Sequence, residues 1–82
     1  MKIKIYSLEK TVFEGEGEKL IVKTSAGEIT VLDGHLPIVS NILNAPIKVI
    51  DKEGRVQEFP CDSGFLEVQP ENNVVILLSP KP

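Results

Sequence analysis

The stretch "TVFEGEGEKLIVKT", residues 11–24, decides the fold. Its first half sets Phe13, Gly15 and Gly17 on one side of an extended chain and Glu14, Glu16 and Glu18 on the other, the period-two pattern of a half-buried strand. After Lys19 the apolar residues take the opposite parity, at Leu20 and Val22. Side chains alternate strictly along a strand, so one unbroken strand cannot keep both sets on the same face. The glycines at the flip predict a bulge or bend between Gly15 and Lys19.

The same alternation extends outward in both directions. Upstream, "KIKIY" places Ile3 and Ile5 on one face and Lys2 and Lys4 on the other. Downstream, "GEITVL" reads as a strand, and "PIVSNIL" offers Ile38, Ile42 and Leu43 to a core. "IKVIDKEGRVQEF" is a hairpin, because "DKEG" puts Gly54 where a type I turn needs a left-handed residue to follow it. "GFLEVQPENNVVILLS" is a second hairpin with turn residues Pro70 to Asn73. Its returning strand, "VVILL", is apolar without alternation, which predicts cover on both faces, from its own fold or from another protein. The final "SPKP" stops that strand, since proline cannot pair in a ladder. No stretch repeats apolar residues at helical spacing behind a cap. The expected fold is therefore all-β, a flattened antiparallel β-sandwich of eight or more short strands, with residues 1–82 as a single domain.

Composition narrows the function classes. Nine basic residues against twelve acidic ones give a net charge of −3, and aromatics are only 5% of the chain. Nucleic-acid binding, which needs a basic stripe and stacking platforms, is not expected. The single cysteine rules out an internal disulfide and favours a reducing compartment. The start "MKIKIYSLEK" lacks the apolar segment of a signal peptide, and no apolar run approaches the ~18 residues of a membrane span. Membrane association is expected only through a complex.

Few residues are available for catalysis. Cys61 and His35 could formally make a nucleophile and base, yet Cys61 follows Pro60 in a strand-like segment with no adjacent cation to activate it, so it reads as a buried structural thiol. One histidine and one cysteine do not make a zinc site, and no metal or other cofactor is expected. In "GEGEK", Glu14, Glu16 and Glu18 would repel a phosphate and no helix follows. Lys52, at a hairpin tip, has the outline of the modified lysine of lipoyl or biotinyl carrier domains, an alternative to a plain solvated turn. His35 has two readings: a turn residue whose ring caps nearby backbone, or part of a contact surface.

"GEITVLDGHLPIV" at 27–39, followed by "SGFLEVQPENNVVILL" at 63–78, resembles the amino-terminal β-sandwich of the epsilon subunit of rotary ATP synthases. The resemblance takes in "VFEGE" and covers Lys2 to about Leu78, with Glu28, Gly34, His35 and Pro37 on one motif and Gly64 to Val68 on the other. Asp33 stands where the family usually has proline, Leu43-Asn44-Ala45 replaces a Lys-Pro-Gly-like corner, and Ser63 replaces a glycine.

The resemblance implies a sandwich of about ten strands in the central stalk of a proton- or sodium-translocating enzyme. Such a subunit binds gamma and the polar loops of the membrane c-ring and reaches the catalytic-head beta subunits only indirectly. It is non-catalytic and cofactor-free, and is placed peripherally at the cytoplasmic side of the bacterial plasma membrane. The implied c-ring contacts are Glu28, Gly34, His35 and Pro37, in loops at the ring-facing end, where a carboxylate and an imidazole can make charge-assisted hydrogen bonds. The family normally continues into a C-terminal helical hairpin that this sequence does not include, which implies a coupling subunit without an inhibitory arm.

Overall fold

The computed structural model describes residues 1–79. Nine strands follow one another: β1 (Lys2–Tyr6), β2 (Thr11–Glu16), β3 (Lys19–Thr24), β4 (Gly27–Leu32), β5 (Ile38–Ile42), β6 (Ile47–Ile50), β7 (Val56–Phe59), β8 (Gly64–Gln69) and β9 (Asn73–Leu78). No helix occurs among the described residues, so the all-β expectation holds with nine strands rather than about ten. The expected strand stop at "SPKP" lies, from Pro80 onward, outside the described residues.

The strands form one continuous sheet in the order β2-β1-β9-β8-β5-β3-β6-β7, with β4 flanking β3. The sheet folds over on itself into a body of 34 × 23 × 19 Å. Its fold line is narrow: β3 and β5 share the single pair Thr24 and Ile42, and Leu43 N donates to Lys23 O at 2.8 Å. Inside, Leu20, Val22, Val31, Ile47 and Val49 from one layer and Ile3, Ile5, Leu66, Val74 and Ile76 from the other make one apolar cluster, each at most 2% exposed. Burying each of these side chains contributes roughly 1.5–3 kcal/mol.

The parity flip at 15–19 is a crossover between the two layers. β2 ends at Glu16 and β3 starts at Lys19. Between them Gly17 N donates to Met1 O at 3.0 Å and Glu18 N donates to Ile50 O at 2.8 Å, so one residue is tied to the first layer and the next to the second. A Cβ at Gly17 would lie 2.7 Å from Ile3 Cδ1 and 3.0 Å from Val49 Cγ1. The position is glycine because the backbone passes directly over the core.

Four details differ from the sequence reading. β1 pairs parallel with β9, whereas every other pair is antiparallel. A parallel pair needs a long connection, and here the whole intervening chain supplies it. A second irregularity sits between Ile5 and Tyr6, where the β1–β2 register shifts. Leu43 is 39% exposed instead of buried, because Ile42 takes the inward position and its successor must point away. Asn73 belongs to β9, leaving Pro70, Glu71 and Asn72 as the turn.

Candidate docking surfaces

The register of β5, β8, β9 and β1 lays out the outer face of their layer as rows across the strands. Phe65 stands opposite Asn41 and Leu77, and Leu77 opposite Tyr6, giving the contiguous row Phe65, Leu77, Tyr6. The next row carries Val39, Glu67, Val75 and Lys4. The row after that is polar, with Gln69, Asn73 and Lys2. Phe65 and Leu77 are about half exposed and Val39 is 76% exposed. Thus "VVILL" lies against the core through Val74 and Ile76, with the partly buried Leu78 packed alongside, while on its other face Val75 is half-buried and Leu77 half exposed. Contiguous exposed apolar groups rimmed by polar ones mark an interaction surface.

At the polar end of this layer two turns are tied together. The β4–β5 turn is closed by His35 N donating to Leu32 O at 3.1 Å, with Gly34 at φ +79°. Gly34 N donates to Asn72 Oδ1 of the β8–β9 turn at 2.8 Å. Asp33 Oδ1 accepts from the Met1 ammonium at 2.9 Å, and that ammonium also donates to Gly17 O at 2.9 Å. His35 Nδ1 lies 2.7 Å from Leu36 O, so the ring nitrogen donates and the backbone-capping role is filled. Leu36 projects with 77% of its surface exposed. Carboxylates of Glu16, Glu18, Asp33, Asp51 and Glu53 line the shallow groove beside this turn.

The structure brings Gly34, His35 and Pro37 together and sets Glu28 apart. Glu28 pairs with Lys23 at the opposite end of the β3–β4 hairpin, five residues or roughly 16 Å along the strand from Asp33. Glu28 therefore stands near the start of β4, and the Gly-His turn follows its end. A partner surface touching both must run along β4. The reason is the unbroken pairing of β4 with β3 from Gly27 to Leu32, which keeps the chain extended between them.

Cys61 and His35 are likewise separated. Cys61 lies with Ser7, Leu8, Leu78 and Ser79 where β9 finishes, whereas the His35 turn meets Asn72 just before β9 begins. The Cys61 thiol is buried, and burial first, then the nearby Asp62 charge, raises its pKa. No thiolate and imidazole dyad is assembled. Lys52 occupies the tip of the β6–β7 hairpin, whose turn is held locally: Asp51 Oδ1 accepts from Glu53 N and Arg55 N at 2.9 Å each, and Arg55 Nε donates to Asp51 Oδ2 at 3.0 Å. These bonds, that of Arg55 N foremost, hold the Asp51 carboxyl below its usual pKa.

Sequence reasoning missed two features. Phe65 could have been found from parity, since Leu66 and Val68 point inward. Asn72 carried only a turn propensity, and its long-range partner was not legible.

Among the described residues these surfaces define a β-sandwich module without helices, with one partly uncovered apolar sheet face and one end of interlocked turns. Residues 1–79 match the family described as the ATP synthase delta/epsilon chain β-sandwich domain, and the chain belongs to that family. It is 36% identical over 67 residues to the ATP synthase epsilon chain of Chromohalobacter salexigens, covering 82% of this chain and 48% of that protein. It is 33% identical over 78 residues to the epsilon chain of Ruminococcus albus, covering 95% of this chain and 58% of that protein. The chain thus spans about half the length of these curated relatives. Among solved structures, a chain of the Euglena gracilis mitochondrial ATP synthase superposes with TM-score 0.86 at 21% identity, covering 93% of this chain and 48% of that one. A chain of the Tetrahymena thermophila mitochondrial ATP synthase central stalk and c-ring gives TM-score 0.80 at 14% identity, covering 98% and 63%. At such identities the likeness concerns the fold. Family membership over the whole hairpin region also displaces the carrier-domain alternative for Lys52.

Proposed function

We propose that this chain serves as the β-sandwich of an epsilon subunit in the central stalk of a proton- or sodium-translocating rotary ATP synthase. The outer face of β5, β8, β9 and β1 docks on gamma. The 33–37 turn meets the polar loops of the c-ring, with Gly34 and Pro37 shaping it and Glu28 joining from along β4. The chain couples ion flow to ATP synthesis by transmitting torque and contributes no catalytic group of its own. Its place is peripheral, through the complex, at the cytoplasmic side of a bacterial plasma membrane. The observation that carries this reading is the row of half-exposed Phe65 and Leu77 with half-buried Tyr6, beside exposed Val39, in a chain whose relatives are epsilon chains. An apolar cluster of this kind with a polar rim has the anatomy of a stable subunit interface.

Co-purification tests it. The tagged chain is expected to retain its own organism's gamma subunit at equal stoichiometry through a high-salt wash, because apolar contacts are not screened. Phe65→Ser or Leu77→Ser should weaken that binding by about tenfold or more, as truncation of a central apolar anchor does. Loss of gamma at low salt from the unsubstituted chain, with both proteins folded, would sink the assignment.

A further inference from the structure

Asn72 occupies an unusual position. It lies at φ +58°, in the left-handed region that only glycine, asparagine and aspartate enter at low cost. That conformation lets the residue use both its acceptors on other parts of the chain. Its backbone oxygen accepts from Lys2 N at 2.8 Å, anchoring it to the start of β1. Its side-chain Oδ1 accepts from Gly34 N at 2.8 Å, across 38 residues of sequence. Gly34 itself is left-handed, at φ +79°, and a Cβ there would meet nothing within 4 Å, so it is the backbone conformation that favours glycine at this position.

Without this bond the 33–37 turn would still close through His35 N and Leu32 O, and Asp33 would still be held by the Met1 ammonium. What would be lost is its fixed orientation against the β8–β9 turn. A contact patch made of His35, Leu36 and Pro37 needs that orientation, because ordering a loop on binding subtracts from the affinity that its contacts provide.

We propose that Asn72 is a positioning residue that latches the 33–37 turn in a preformed orientation for the c-ring; this rests on the reading of that turn as the ring contact given above. The latch acts through Gly34 N–H and touches no partner itself.

Two substitutions separate the side-chain bond from the backbone conformation. Asn72→Gly accepts the left-handed φ and removes Oδ1; Asn72→Asp accepts it and keeps an acceptor. In the isolated chain, Asn72→Gly should speed hydrogen exchange of the Gly34 amide by about tenfold, the expected effect of losing one hydrogen bond, with Asn72→Asp close to the original protein. In the complex reconstituted from the organism's own subunits, Asn72→Gly should lose coupled ion pumping per ATP hydrolysed, and Asn72→Asp should restore it. The combined change His35→Ala with Leu36→Ala serves as the direct lesion of the turn. Unchanged Gly34 exchange in Asn72→Gly overturns the latch. Faster exchange with intact pumping, while the turn lesion loses pumping, overturns the positioning role and leaves the ring contact standing. Intact pumping in the turn lesion itself sinks the ring contact and the proposal with it.

Discussion

On one face of the β8–β9 hairpin Leu66, Val68, Val74 and Ile76 are at most 3% exposed, whereas Phe65 and Leu77 on the other face are each about half exposed. Phe65 and Leu77 are as large and apolar as the inward residues, although polar Glu67, Gln69 and Asn73 share their face. The two faces differ in what has been placed over them: the second layer of the sandwich covers the inner face, and nothing within the described residues covers the outer one. An apolar strand without alternation therefore does two jobs, folding with one parity and presenting a surface with the other.

The sharpest way to break this comparison is to substitute one residue from each face. Leu66→Ala should lose about 2–5 kcal/mol of stability in chemical denaturation, since it opens a cavity in a closed core. Phe65→Ser, one residue away, should stay within about 1 kcal/mol of the original protein, as surface changes do. Equal losses would mean that the outer face is already part of the fold. Next in size is the crossover that brings the covering layer into place. Gly17→Ala forces a methyl group against Ile3 and Val49 and should cost about 1–3 kcal/mol by overpacking, visible as a lower midpoint in the same assay.

Smaller effects belong to the turns at the polar end. Glu71 is held at φ +65°, an uncomfortable conformation for a residue with a Cβ, so Glu71→Gly should raise stability by about 0.5–1 kcal/mol, read from the denaturation midpoint. A loss instead would show that the β8–β9 turn owes its shape to the Glu71 side chain. The faintest signal comes from Asp51, whose hydrogen bonds lower its folded pKa. The sign follows from linkage: its stabilisation is present above the unfolded carboxyl pKa of about 4 and fades as pH falls through the lower folded value. Asp51→Asn should therefore differ from the original protein at pH 7 and converge with it at acid pH. A difference that grows as the pH falls would contradict the assignment.

The two hairpin turns show why part of the fold was legible and part was not. The Asp51–Arg55 turn was readable from "DKEG" because its bonds join residues at most four apart, and Gly54 at φ +83° adopts the conformation that its position demanded. The 33–37 turn was visible as a turn, but its anchors, Met1 to Asp33 and Asn72 to Gly34, span 32 and 38 residues. No local pattern encodes such a partner. The family resemblance also implied grouping Glu28 with His35, and the unbroken pairing of β4 with β3 sets them apart along its length.

The sequence by itself determined the strands, most of their inward residues, the local hairpin and the place where the chain must bend, because alternation and turn chemistry act over two to five residues. Only the tertiary structure decided that β1 lies parallel to β9, that Glu28 and the Gly-His turn occupy opposite ends of a strand, and that Asn72 reaches Gly34. Those outcomes depend on which distant edges and turns meet once the sheet folds over. That is set by the shared burial of one core rather than by any stretch of residues read alone.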